Sequence, residues 1–423
     1  MFLLSALVLT LIFLAIGTHV SVALGLVAVG LALLSDGVPT TVIAQTAFKS
    51  VNSYPLMAIP MFVLAGNLMM KGQIANIMIE LVGSVVRAIK GGLALTVLIT
   101  SVFFAAISGS SVASAAAIGA STVEGLKRES YPIGFSAALV AVGGTLGLMI
   151  PPSLLFILIG SIVGMPVDKL FIAGIVPGLM EAVLLMIATV YLAKRNNYGT
   201  NVRRPDWRGF GKRLPAATAA LSMPALVLGS IYTGFLTPTE VSAFAAAYAA
   251  LLGLFVYRSI TAGKMWSVAK ESLLQTTMIF TVVMGGSLVG FMLARMGVSQ
   301  QLVSYITDMG MSAWQFLLVV NVVLLILGMF LDGVTLVVLT APLLFPIAGA
   351  LGIDPIHFAV IMVANVEIAT LTPPIGLNLF VMSGVAKIPV HEVARGVLPF
   401  FGVRIIGLML ITYIPSISLV LLR

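Results

Sequence analysis

Apolar runs follow one another from Phe2 to Leu422, separated by short polar breaks. Runs of this length span or enter a bilayer as helices, because backbone amides in lipid must find their partners within the segment. The pattern predicts an all-α polytopic membrane protein. The opening run, MFLLSALVLTLIFLAIG, has no basic leader and no small-residue cleavage site, so it reads as a retained span and not as a signal peptide.

Two runs are interrupted in the same way. MIPPSLL (149–155) and TLTPPIGLN (370–378) each place a proline pair inside a hydrophobic segment, where one proline costs about 3 kcal/mol of helix stability. Laying residues 108–153 over 331–376 puts Gly109 on Gly333, Pro132 on Pro355, Phe135 on Phe358 and Pro151-Pro152 on Pro373-Pro374. Further on, Pro166 falls on Pro389, Gly174 on Gly396 and Pro177 on Pro399, while the offset drifts only from 224 to 222. The chain therefore carries an internal repeat.

Charge gives the repeats a direction. Arg87, Lys90, Lys127 and Arg128 flank the first copy's hairpin, which places both of its ends on the cytoplasmic side. Asp308 and Asp354 flank the second, and no Lys or Arg lies between Arg295 and Lys387. The two copies are expected to be inverted, each with a span, a lateral surface helix, a re-entrant hairpin, a broken span and a final span. The expected organisation is N-terminal scaffold helices over 1–55 and a first repeat over 56–193, with its hairpin at 91–128 and broken helix at 132–165. A basic cytoplasmic loop covers 194–213, with seven basic residues against one acidic. Scaffold spans and an amphipathic surface helix (GKMWSVAKESLLQ) occupy 214–275. The second repeat covers 276–423, with its hairpin at 312–353 and broken helix at 355–387.

Composition excludes several chemistries. The chain has 423 residues, 60% hydrophobic and 9% charged, and no cysteine, which removes disulfides, thiolate metal sites and cysteine nucleophiles. The net charge of +8 lies in short loops between spans, which fits membrane orientation and not nucleic acid. His19, His357 and His391 fall near predicted span ends and read as interfacial. No Ser/His or paired-Asp arrangement at membrane depth supports an intramembrane enzyme. Two inverted broken spans fit alternating access better than an open channel.

Free backbone at membrane depth must face protein, water or an ion. The hairpin tip ISGSSVAS offers Ser108, Ser110 and Ser111 at the start of a helix, whose positive end suits an anion. GGTLGLMIPP has three glycines and two prolines in ten residues, and is expected to lose regular helix and expose carbonyls. The second copy supplies Asp332, Thr335, Asn365, Glu367, Thr370 and Thr372. For Asp332 and Glu367, a functional role stands beside that of a helix cap or brace. Oxygen donors of this kind suit a hard monovalent ion, sodium before calcium or a transition metal.

SGSSVASAAAIG, GLMIPPS and TPPIGLNLFV, in this order and spacing, resemble the large membrane (M) subunit of the tripartite ATP-independent periplasmic (TRAP) transporters, and the likeness runs over the whole chain. The resemblance implies an elevator-type, sodium-coupled secondary transporter of organic acids, of the C4-dicarboxylate or sialic acid class, in a bacterial cytoplasmic (inner) membrane. It implies two partners, a small four-helix membrane subunit and a periplasmic substrate-binding protein, and two or more sodium ions (Na+) as coupling ions. One sodium site would lie between Ser108, Gly109 and Ser110 and the break at Gly144, Thr145 and Pro151. The other would lie between Asp332, Gly333 and Thr335 and the break at Ala369, Thr370 and Thr372. The substrate carboxylate would sit near Ser110, Ser111, Gly333 and Asn365. The family's tip often has an acid where this chain has Ser114, so that position is given no charge role. The alternative is a stand-alone sodium/carboxylate symporter of the divalent-anion type, which needs no binding protein.

Overall fold

A computed structural model describes residues 6, 8–10, 12–13, 16–34, 38–72, 74–199 and 204–422. Most of the first predicted span and residues 200–203 of the basic loop lie outside the described residues. The described secondary structure is helical throughout. Among the described residues, seven helices are long and apolar enough to cross a membrane, and the bent pair Thr40–Val51 with Pro55–Lys71 can make an eighth. Leu33, Ile187 and Trp266 are among many large apolar side chains left exposed, as lipid contact requires.

The first half comprises α1 (Val20–Leu34), α2 (Thr40–Val51), α3 (Ala58–Lys71), α4 (Ile74–Val86), α5 (Gly92–Ser108), α6 (Ser111–Arg128), α7 (Ile133–Met149), α8 (Leu154–Val163) and α9 (Val167–Arg195). The second comprises α10 (Trp207–Tyr232), α11 (Pro238–Leu251), α12 (Ala262–Arg295), α13 (Val298–Asp308), α14 (Ala313–Gly328), α15 (Gly333–Ala350), α16 (Pro355–Ala369), α17 (Leu377–Ala386), α18 (Val390–Tyr413) and α19 (Pro415–Leu419). Thus α5–α6 and α14–α15 are hairpins, while α7–α8 and α16–α17 are helices broken at the proline pairs. Pro132, Pro166 and Pro389 stand at N-caps, where the missing amide hydrogen costs nothing.

The packing repeats as the sequence does. Each hairpin lies against the first half of its own broken helix, α5 and α6 on α7, α14 and α15 on α16. The second arm of each then reaches across to the far half of the other repeat's broken helix, α6 on α17 and α15 on α8. Around this body, α1 and α2 pack on α12, and α3 packs on α11 and α12.

Away from the breaks, the helices depart from sequence expectation as follows. Residues 263–275 are not a separate surface helix; they open the 34-residue α12, which runs unbroken into the next span. At 1.5 Å per residue α12 is about 51 Å long, longer than the roughly 30 Å apolar core, so its first turns can lie beyond the apolar layer without a break. The basic loop ends early, because Asp206 caps α10 by accepting from Gly209 N at 2.7 Å, and helix begins at Trp207. His357, near the start of α16, is covered by neighbouring helices. It is 2% exposed, with Nδ1 3.2 Å from Ser418 Oγ and Nε2 3.2 Å from the Thr412 carbonyl, because α18 and α19 cover the start of α16.

Candidate functional site

Each hairpin tip docks on a proline break. In the first half, Gly109 ends α5 in the left-handed region at φ +59°, and Ser110 caps α6 by accepting from Ala113 N at 3.4 Å. The Gly109 carbonyl accepts from Leu154 N at 3.5 Å, just past Pro151-Pro152. In the second half, the Met329 carbonyl accepts from Ile375 N at 3.1 Å, just past Pro373-Pro374. Both proline–proline bonds are cis. Asp332 caps α15, taking hydrogen bonds from Thr335 N at 3.3 Å and from the Thr335 hydroxyl.

Glycine lets the first tip sit this low. A Cβ added at Gly109 would lie 2.7 Å from the Pro152 carbonyl oxygen, and one at Gly144 2.9 Å from the Ser111 carbonyl oxygen. This corrects the reading of GGTLGLMIPP: Gly143, Gly144, Thr145 and Gly147 remain helical, and the break is confined to 150–153. The glycines serve close approach of the hairpin, not unwinding.

Several hydroxyl groups at the tips and breaks are hydrogen-bonded to their neighbours. Ser108 Oγ is 2.6 Å from Ser114 Oγ, Thr370 Oγ1 donates to the Glu367 carbonyl at 2.8 Å, and Thr372 Oγ1 donates to the Ile368 carbonyl at 2.7 Å. A threonine that donates its proton keeps oxygen lone pairs for a cation. No group of three His, Asp or Glu that could hold a metal occurs among the described residues. The hydroxyl, carboxylate and carbonyl oxygens at these two places are the donor type that a hard cation takes. Thr145 is the exception, because its hydroxyl donates to the Val142 carbonyl and accepts from Arg404 Nη2, and a guanidinium at that oxygen opposes a second cation.

Between the tips and α12 lies a cleft in two lobes. One, of about 490 Å³, is bordered by Ser108 and Ser110 of the first tip with Asn67, Glu271 and Gln275 opposite. The other, of about 450 Å³, is bordered by His19, Thr281, Asp332 and Val334 at the second tip. Met278, Ile279 and Leu377 border both. Of the expected substrate residues, Ser110 faces this cleft. Ser111 is buried, and Gly333 lies against Val366, where it leaves no room for a Cβ. Asn365 is fully buried and donates to Asn321 Oδ1 at 2.8 Å and to the Ile361 carbonyl at 2.9 Å, so it faces α14 and not the cleft.

Sequence reasoning missed two features. Asn67, which donates to Ser272 Oγ at 2.9 Å and Gln275 Oε1 at 3.0 Å, ties α3 to α12 at the cleft. Arg404 of α18, 1% exposed, forms ion pairs with Glu181 of α9 and, at 3.2 Å, with Glu367 of α16. Its other nitrogen, Nη2, donates to Thr145 and to the Val142 carbonyl of α7. The legible signal was each group's isolation: Glu181 in VPGLMEAVLLM, Arg404 in FFGVRIIGLML and Asn67 in MFVLAGNLMM stand alone in apolar helices.

Helical hairpins docked on broken helices beside a largely apolar cleft, with a few polar side chains at its border, define a multi-pass membrane protein of the transporter class. Residues 7–417 match the model of the tripartite ATP-independent periplasmic transporter, DctM component, and the chain belongs to that family. It is 40% identical over 379 residues to a C4-dicarboxylate TRAP transporter large permease protein DctM of Pseudomonas aeruginosa, covering 90% of this chain and 88% of that one. It is 33% identical over 405 residues to a sialic acid TRAP transporter large permease protein SiaM of Vibrio cholerae, covering 96% and 95%. The crystal structure of the Alcanivorax borkumensis YdaH transporter, described as having an unusual topology, shares the fold at a TM-score of 0.66 and 12% identity over 88% of this chain and 87% of that one. The family's relatives are transporter permeases, and its tripartite nature implies a small membrane subunit and a periplasmic binding protein.

Proposed function

We propose that the chain is the transport subunit of a sodium symporter that takes up an organic acid of the C4-dicarboxylate or sialic acid class across a bacterial cytoplasmic membrane. The observation that carries this reading is the paired docking of a hairpin tip on a proline break, in a family whose relatives are named for those substrates. The substrate would occupy the cleft beside Ser110, near the positive end of α6. Sodium at Ser108–Ser110 with the Pro151 break, and at Asp332–Thr335 with Ala369–Thr372, would screen carbonyls that otherwise repel one another. The hairpins and broken helices would move together, as an elevator, against α1 to α3 and α10 to α12. Two sodium ions with a monoanion such as a sialic acid, or three with a dicarboxylate dianion, would carry one net positive charge inward, so a membrane potential would drive uptake by about 2.3 kcal/mol per charge per 100 mV. A small four-helix membrane subunit and a periplasmic binding protein would complete the transporter.

In vesicles containing all three proteins, uptake is expected to require sodium, and Ser110→Ala or Thr370→Ala to weaken that requirement. Uptake indifferent to sodium would overturn the reading, and uptake by this chain alone would favour the stand-alone symporter. Asp332→Asn keeps an acceptor for Thr335 N, so it should fold like the parent while the sodium concentration for half-maximal uptake rises about tenfold or more. Unchanged sodium dependence in Asp332→Asn would reduce Asp332 to a cap.

A further inference from the structure

We infer that Arg404 is a positioning residue that links the two broken helices, so that sodium at one site is felt at the other; this rests on the sodium reading above. Arg404 reaches both helices just before they break. On one side, Nη2 holds the Val142 carbonyl at 3.2 Å and the Thr145 hydroxyl, about two turns and one and a half turns before the interruption at 150–153. On the other, Nη1 holds Glu367 at 3.2 Å, three residues before Thr370, together with Glu181 of α9.

A guanidinium is flat and rigid, so its two terminal nitrogens cannot shift independently. A displacement of Thr145 with the end of α7 is passed to Glu367 and the end of α16. On the third side the same Nη1 is paired with Glu181, which fixes the guanidinium to α9. Glu181, Glu367 and Arg404 are each at most 1% exposed, so water cannot absorb the movement. An empty site, whose carbonyls spread apart, and a filled one, whose carbonyls converge, are two arrangements of the same helix end. A rigid connection between two such ends couples their occupancy.

The test is the steepness of sodium-dependent thermal stabilisation, measured on the full chain in nanodiscs. The parent should show a Hill coefficient approaching 2. Arg404→Lys keeps the charge and loses the planar fork; it should fold, with the coefficient falling to about 1 and the midpoint sodium concentration rising at least about fivefold. Thr145→Val, which removes the side-chain acceptor on α7, should behave likewise and decides the matter if Arg404→Lys does not fold. A brace with no coupling role would leave the steepness of folded variants at the parent value, and that result overturns the inference. A parent coefficient near 1 also overturns it while leaving the sodium reading intact. A parent with no response to sodium removes both.

Discussion

Arg404→Met is expected to be the most damaging single change in the chain, with a loss of about 3–5 kcal/mol and little folded protein recovered in detergent. The reason is the carboxylates left behind. Glu181 and Glu367 are buried at 1% and 0% exposure and have the same arginine as their cation. Their Oε1 atoms already lack hydrogen-bond partners. Removing the guanidinium leaves two buried carboxyl groups without their cation and main donor, and each must then either take up a proton or carry its charge in a low-dielectric interior. The triple variant Arg404→Met/Glu181→Leu/Glu367→Leu should fold again, since apolar side chains of similar volume replace a buried ion cluster at little or no cost. Its thermal midpoint in detergent checks this, and a triple variant as unstable as the single one would contradict the account.

Gly109→Val is expected to cut uptake more than about tenfold while the chain remains in the membrane. A β-branched residue at φ +59° costs roughly 1–2 kcal/mol in the backbone. Its Cβ would also meet the Pro152 carbonyl oxygen at 2.7 Å, so the tip must lift from the break or the break must shift. Each 1.4 kcal/mol is a factor of ten, so a loss of more than about tenfold is expected from strain and displacement together. Gly125→Val, in the same hairpin with nothing within 4 Å of its added Cβ, is the control. Uptake assays on the two variants side by side separate tip docking from a general effect of valine.

Much of the architecture was legible because prolines and glycines are local signals. The offset between Pro151-Pro152 and Pro373-Pro374 located both breaks, and SGSSVAS located the first tip. What the residues at those places face was less legible. Gly143, Gly144 and Gly147 read as helix breakers, yet in a packed membrane interior they are sites of close approach, and packing holds the helix that propensity alone would lose. Asn365 was expected beside the substrate, but one turn of helix decides between the cleft and Asn321, and an apolar helix buried on all sides carries no periodicity to choose. Arg404 escaped for another reason: its partners Glu181 and Thr145 stand 223 and 259 residues earlier, and one sequence has no marker for such distant pairing.

The crossing of the hairpin arms bears on how the molecule could be cut. Since α6 lies on α17 and α15 on α8, the polypeptide between Arg195 and Trp207 joins two segments already held by each other's surfaces. A protease that nicked this connection would release neither half. The fragments would copurify, and neither gene half expressed by itself would contain a complete interior. The boundary between the two repeats and the boundary of the folded body are thus different partitions of one chain.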